Sequence, residues 1–446
     1  MTALDNAMAG MVKSADIQSI KERGTVMQRS FLSRFHLAAL AVVTLLVSAC
    51  GGSGTTTTSN AVAPVAFYAH TAVFRNSTTV WVWGNNDSGQ IGNNTTTNST
   101  VPVRASLFGS PISGVAVGAS HTLALLGDGT IRSWGYNGNG ELGNGLVNGL
   151  TPNSSVPVTV KIRSTGATLT GIVAVAAGGY HSIAVDNTGE VWSWGSNAYN
   201  QLGRPAIFGS YSAQSASPVL DKSASPTNSF TAVAAGSAHS LALKNDGTVW
   251  SWGYNKFGQL GNNSTLDSLV PVQATTVAAN GTIIKIAAGG QHNMALDSSG
   301  RLWIWGFNGF GQLGDGTTTD SHVPKEVTST TMHLTSAALI AAGLSHCLVY
   351  EPTTDTLYAW GYNGFGQFGN NSKTDITTPV IISSAFSAGL RPGSGLITEL
   401  LAVGNQSFAK RTDGSWWSWG DNSFGQLGIG STTATGMFTP TKVTGF

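Results

Sequence analysis

The sequence predicts an all-β fold, a seven-bladed β-propeller of four-stranded antiparallel blades. Three observations predict it. The first is a ten-residue phrase, clearest as Trp252-Gly253-Tyr254-Asn255-Lys256-Phe257-Gly258-Gln259-Leu260-Gly261, whose copies start at Trp83, Trp134, Trp194, Trp252, Trp305, Trp360 and Trp419. The intervals are 51, 60, 58, 53, 55 and 59 residues, and a unit recurring at that period marks a repeat architecture. The second is a histidine 13 residues before each tryptophan: His70, His121, His181, His239 and His292. His346 stands 14 before Trp360, because Glu351-Pro352-Thr353-Thr354-Asp355 lengthens the turn by one residue, and Gln406 takes the seventh place. The third is the turn between the two marks, such as Gly127-Asp128-Gly129, Asn245-Asp246-Gly247 and Asp413-Gly414. Asp-Gly between alternating apolar runs signals a hairpin, because Gly takes the positive φ of a tight turn.

The fourth copy shows how one unit becomes four strands. Phe230–Ala235 is small and apolar, Ser240–Leu243 alternates, Thr248–Trp252 alternates again, and Leu269–Gln273 follows the glycine-rich loop. Each segment is short, rich in β-branched and aromatic residues, and bounded by Gly, Asn or Ser. One such sheet leaves an apolar face bare, and seven around an axis cover one another. A linear solenoid would need atypical terminal repeats. The chain instead enters at Ala61-Val62-Ala63, just before His70, and leaves at Thr439-Pro440-Thr441-Lys442-Val443. The expectation is that this last strand joins the first blade and locks the ring.

The Trp-Gly-x-Asn-x-x-Gly-Gln-Leu-Gly loop and the Ala-Gly-x-x-His-Ser-Leu-Ala-Leu segment resemble the regulator-of-chromosome-condensation repeat family. The resemblance covers about residues 61–446 and implies a seven-bladed propeller. It does not fix an activity, because one fold hosts many functions. Founding members of that family act as exchange factors for a small nuclear GTPase. Other propellers with this repeat are exported by bacteria and resemble protein-binding modules, including inhibitors that cap a β-lactamase with one face. No contact residue is transferred from them.

The N-terminus reads as a lipoprotein export signal spanning residues 1–50, with Met27 a possible true start. Arg29 and Arg34 precede an uncharged apolar stretch, Leu37 to Val47, too short to span a bilayer comfortably. Val47-Ser48-Ala49-Cys50 has the form of a lipobox, with Cys50 the lipidated residue. A Gly/Ser/Thr tether over 51–60 separates it from the propeller at 61–446. Gly51 rather than Asp after Cys50 favours the outer membrane or cell surface. With Cys50 lipidated, Cys347, the other of two cysteines, has no disulfide partner and is expected as a buried small residue.

Only 10% of residues are charged, against about 25% in ordinary globular domains. The chain carries 22 basic and 21 acidic residues. The first fifty hold five basic (Lys13, Lys21, Arg23, Arg29, Arg34) and three acidic (Asp5, Asp16, Glu22), so the remainder has a formal charge of −1. Without a basic stripe there is no electrostatic footprint for nucleic acid.

Six symmetric histidines suggest a metal ring, but geometry disfavours it. Blades rotated by roughly 51° place them on a circle, whereas zinc needs its nitrogens within about 2.1 Å of one point. The expected role is structural, a hydrogen bond to a loop backbone, with no metal and no cofactor. The Gly-Gln-Leu-Gly loop lacks the Lys-Ser/Thr of a phosphate-binding P-loop. Its Asn residues (Asn86, Asn137, Asn197, Asn255, Asn308, Asn363, Asn422) are expected to order the turn. Asp267, Asp315, Asp320 and Asp375 fall in loops without a consistent companion, and no catalytic set is singled out.

The candidate binding face is a set of loop aromatics. Tyr199, Phe257, Phe310, Phe365 and Phe424 precede the Gly-Gln (or Asn-Gln) step, and Tyr136, Tyr254, Phe307 and Tyr362 follow their Trp-Gly. Such a ring suits docking, although inter-blade packing demands a bulky residue there equally well and is the favoured reading. The insertions at 144–171, 204–230 and 383–398 are further candidates for specificity. The function expected is a non-enzymatic, lipid-anchored module of the bacterial envelope, recognising a protein or glycan partner through one propeller face. The alternatives are an exchange-factor-like regulator of a GTPase, if the chain is not exported, and a hydrolase of envelope polymers.

Overall fold

The computed structural model describes residues 69–445 except 77, 107–108, 146–151, 205–211, 220–228, 276–281, 329–331 and 383–394. The seven sheets are antiparallel, and six of them show four strands. Blade 4 runs through Phe230–Ala235, His239–Lys244, Val249–Gly253 and Ser268–Gln273, within two residues of the strands expected from sequence. The histidine opens the second strand and the Trp-Gly pair closes the third. His239 therefore faces Gly253 across the ladder, as His121 faces Gly135 and His292 faces Gly306. Inner strands of six blades line one axial cavity of about 240 Å³, walled by small residues such as Ala116, Ala176, Val233, Ala288, Ala342 and Ala402. That confirms a propeller. The hairpins turn as expected: the Gly247 N–H donates to the Lys244 carbonyl at 3.0 Å, with Gly247 at φ +82°.

Each phrase tryptophan is fully buried, and each reaches into the preceding blade. Trp252 Nε1 donates to the Gln201 carbonyl at 2.9 Å, Trp305 Nε1 to Gln259 at 3.0 Å and Trp419 Nε1 to Gln367 at 2.6 Å. The same carbonyls accept a second bond, from the residue after the histidine. Ser240 Oγ donates to Gln201, Asn293 Nδ2 to Gln259 and Ser407 Oγ to Gln367, at 2.7–2.9 Å. The histidine of the preceding blade then bonds that same side chain: His181 to Ser240 at 2.8 Å, His239 to Asn293 at 2.8 Å, His346 to Ser407 at 3.0 Å.

This relay fixes the tautomer. The Ser240 hydroxyl spends its hydrogen on Gln201, so its oxygen accepts from His181 Nε2–H. Nδ1 is left bare, and it has no partner in His70, His181, His239, His292 or His346. A second proton there would be a buried orphan donor. The sequence suggested a bond from each histidine to a loop backbone; the partner found is a side chain of the next blade. The loop backbone comes one bond later.

The ring also closes by this relay, and not as expected. Thr433–Lys442 pairs with Trp416–Asn422 as the outer strand of blade 7 (Trp417↔Lys442, Ser418↔Thr441). It does not join the first blade. Every copy runs from inner to outer strand, so the last strand finishes its own blade. Blade 1 is attached instead by Trp83 Nε1 and Thr71 Oγ1, which donate to the Gln426 carbonyl at 2.7 and 2.9 Å. Val73, Trp83, Phe408, Trp416, Leu427 and Val443 form the apolar joint. Blade 1 shows three strands, His70–Asn76, Thr79–Gly84 and Ser99–Arg104; Ala61-Val62-Ala63 lies outside the described residues, as do Cys50 and the stretch expected to be an export signal.

Two predictions follow from the relay. Burial lowers the histidines from 6.5 to about 3, or about 4 for His239. The unfolded chain therefore binds more protons than the fold once pH drops below about 6.5, at about 1.4 kcal/mol per histidine per pH unit. Stability is complete above that pH and is lost towards the folded values. Thermal melting should show a midpoint that is flat from neutral upward and falls steeply below about pH 6. The second concerns Cys347, whose sulfur lies 3.2 Å from His292 Nε2 and 3.4 Å from the Gln312 carbonyl. Chemical denaturation of Cys347→Ser, which restores the hydroxyl used by other blades, should stay within about 0.5 kcal/mol of the parent. Cys347→Ala should lose about 1–3 kcal/mol, because His292 is orphaned.

Candidate binding face

The ten-residue phrase forms a loop between the third and outer strands, and its geometry starts at the glycine after tryptophan. Gly253 adopts φ +102°, and a Cβ there would stand 2.7 Å from the Ala238 carbonyl. Only glycine lets the chain turn so close to the histidine loop. The asparagine two residues on organises the rest. Asn255 Oδ1 accepts the Leu260 N–H at 2.8 Å, and its Nδ2 donates to the carbonyls of Ser264 and Leu266 at 3.0 and 2.9 Å. The glutamine folds back likewise, Gln259 Oε1 accepting the Phe257 N–H at 3.0 Å.

The loop acids gain a role that sequence reading missed. Asp267, Asp320 and Asp375 each accept the backbone N–H of the loop asparagine twelve residues earlier, at 2.9, 2.7 and 2.7 Å. Asn98 does the same for Asn86 at 2.6 Å. They do have a consistent companion, and the regular spacing of twelve was the available signal. Burial pushes the Asp320 and Asp375 carboxyls up against these stabilising bonds. Asp315 bonds Thr317 and Lys325 and accepts from the side chain, not the backbone, of Asn308 at 3.4 Å.

The loop aromatics meet one another. Tyr199, Tyr254, Phe257, Phe307, Phe310, Tyr362 and Phe365 form an unbroken chain of ring contacts over blades 3 to 6, with centroids 4.8–6.2 Å apart. Contacts alternate between two rings of one loop and two rings of adjacent blades, in the tilted or edge-to-face geometry that aromatic pairs favour. The packing reading therefore accounts for their periodicity. Tyr254 is buried, and the other six keep part of their surface in solvent. Blades 7, 1 and 2 interrupt the arc. Asp421 and Asn85 take the place after Trp-Gly, and Phe424 is left 42% exposed. Tyr136 stands apart, against Tyr180 at 6.3 Å. Tyr180, on the histidine loop, was not singled out by its sequence, since other copies carry Ser, Ala or Gln there. The insertions 204–230 and 383–398 lie in large part outside the described residues, whereas 144–171 is described except for 146–151 and contains the bridge Lys161↔Thr168.

Comparison with known proteins agrees with the geometry. A family model described as RCC1-like domain matches residues 208–446, and one described as regulator of chromosome condensation (RCC1) repeat matches 79–125 and 128–185. The Arabidopsis thaliana ultraviolet-B receptor UVR8 is 32% identical over 319 residues, 71% of this chain and 67% of that protein. The human probable E3 ubiquitin-protein ligase HERC4 is 36% identical over 211 residues, 47% of this chain and only 19% of that protein. Among solved structures, human WBSCR16 superposes with a TM-score of 0.70 at 24% identity, covering 82% of this chain and 94% of that one. Yeast RCC1 (Prp20), solved bound to Kap60, gives 0.67 at 22%, covering 89% and 91%. At these identities the two structures share the fold.

Removing one loop acid should loosen one loop only. In Asp320→Ala the amide of Asn308 loses its acceptor, which should cost about 1 kcal/mol. Hydrogen exchange at that amide should accelerate while the equivalent amides of Asn255 and Asn363 stay protected.

Proposed function

The chain belongs to the regulator of chromosome condensation (RCC1) repeat family, and from that premise we propose that it is a non-enzymatic binding module, anchored by lipid at Cys50 to the bacterial envelope, that recognises a protein partner with its loop face. The observation that carries this reading is the make-up of that face. Rings that are partly exposed, save the buried Tyr254, run over blades 3 to 6, and blade 7 carries the exposed Phe424 on the same loop. Large rings with little conformational entropy to lose make effective interface anchors. The opposite ends of the blades carry tight polar hairpins such as Asp128-Gly129, Asp246-Gly247 and Asp413-Gly414. The relatives are compatible with this reading: one is named as a receptor, and in another the matched segment is a small part of a long ligase.

The hydrolase alternative finds no support in the one buried thiol–imidazole contact among the described residues. Cys347 and His292 are both fully buried, and burial raises the thiol well above its ordinary range. The pair is one link of the blade relay. The exchange-factor alternative requires a chain that stays inside the cell.

Two experiments test the proposal. Palmitate labelling of the full chain should mark the membrane fraction of the parent and disappear in Cys50→Ala; an unlabelled, soluble parent would refute the anchor. Capture from envelope extract by the detergent-solubilised full chain should fall about tenfold, the loss of a typical interface anchor, in Phe424→Ser combined with Phe365→Ser. It should be untouched by Asp246→Arg combined with Asp413→Arg on the hairpin face. The reverse pattern would move the site to the other face.

A further inference from the structure

Blade 2 breaks the repeat at a buried polar position. Six blades place glutamine before the Leu-Gly (or Ile-Gly, Phe-Gly) step: Gln90, Gln201, Gln259, Gln312, Gln367 and Gln426. Blade 2 places Glu141. Its backbone carbonyl keeps the relay, accepting Trp194 Nε1 at 2.8 Å and Ser182 Oγ at 3.1 Å. Its side chain keeps the turn bond that the glutamines make and adds a second. Oε2 accepts the Asn139 N–H at 2.8 Å and Oε1 accepts Asn139 Nδ2 at 2.7 Å. The carboxylate is fully buried, and among the described residues no Lys or Arg pairs with it. Burial alone pushes it up to about 7, against the Asn139 bonds. A buried carboxylate without a counter-ion is costly, and a cation brought near it is correspondingly stabilised.

Two phenols stand beside this charge. Tyr136 and Tyr180 meet edge to face, 72° apart, and the Glu141 charge contributes to raising both, after burial. The tip of Tyr136 lies over Gly138, where a Cβ would stand 2.2 Å from the hydroxyl. Tyr180 is 38% exposed. Blade 1, next to blade 2, adds the exposed Asp87 on the same loop face. The arrangement couples aromatic faces to negative charge, and both attract a cation.

We propose that Tyr136, Tyr180 and Glu141 form a subsite for a lysine or arginine side chain of the docking protein. The cationic head rests on the rings, with the carboxylate beneath them. This rests on the loop-face reading and adds the chemistry of the partner: a basic side chain at blades 2 and 3, with apolar contact supplied elsewhere on the same face by the aromatic arc of blades 3 to 6. It also explains why glutamate, charged and unpaired, stands where six blades use a neutral amide.

The test uses the full chain in detergent with N-acetyl-lysine methylamide as probe and its norleucine counterpart as uncharged control. At about pH 8.5, where Glu141 is ionised, the ring resonances of Tyr136 and Tyr180 should shift saturably with the lysine probe and not with norleucine. Glu141→Gln, the residue native to the other blades, should fold normally and weaken the response by about fivefold or more, the scale of one lost cation contact. Equal responses in parent and variant, or no saturable shift, would overturn the proposal. The outcomes also separate the two readings. Capture that depends on Phe424 but ignores Glu141→Gln keeps the docking face and removes the subsite. A Glu141-dependent probe response with capture indifferent to every loop-face change keeps the subsite and removes the docking face.

Discussion

One backbone carbonyl per blade holds this ring together. The oxygen of the residue before the Leu-Gly step receives the indole of the next blade and the side chain that follows the next histidine. The histidine closes the triangle from the other side. Each bond is worth only about 1 kcal/mol net, but each partner is fully buried, so losing one strands a polar group at about 1–3 kcal/mol. Repeated around the circle, these contacts take the place of covalent closure. Cys347, the one cysteine among the described residues, is free and itself serves as a relay donor.

The same relay creates the loop face. Because the glutamine carbonyl points into the next blade, its loop lies against the following Trp-Gly turn. Side chains flanking the two motifs are thereby brought within ring-contact distance. Aromatics at both places make the arc over blades 3 to 6; polar residues at one of them open the sector around Asn85, Asp421 and Phe424. On the proposed reading, packing and recognition share residues here, and the surface open to a partner would be what inter-blade packing leaves uncovered.

Much of this was legible in the chain. The His–Trp spacing and the Asp-Gly turns gave the blade, its strand order and the hairpins of the far face. The partner of the histidine was not legible, because the accepting position holds Thr, Ser, Asn or Cys, four residues with one shared property, a small group that both accepts and donates. Nor was the role of Asp267, Asp320 and Asp375, whose meaning lies in a distance of twelve residues across a folded loop. Closure was misjudged for a related reason. Thr439-Pro440-Thr441 resembles the outer strand of every blade, and only the pairing Trp417↔Lys442 shows that it serves its own. Glu141 was visible as a departure from Gln, but its proximity to Tyr180 depends on the fold.

The relay itself is tested most directly by a double-mutant cycle across one blade boundary. His181→Gln, Ser240→Ala and the pair should be compared by equilibrium unfolding at about pH 7.5, where His181 is neutral in both folded and unfolded states. A coupling energy of about 1–2 kcal/mol between residues 59 positions apart is expected for a buried bond that also sets the hydroxyl towards Gln201. Additive effects, with coupling below about 0.3 kcal/mol, would contradict it.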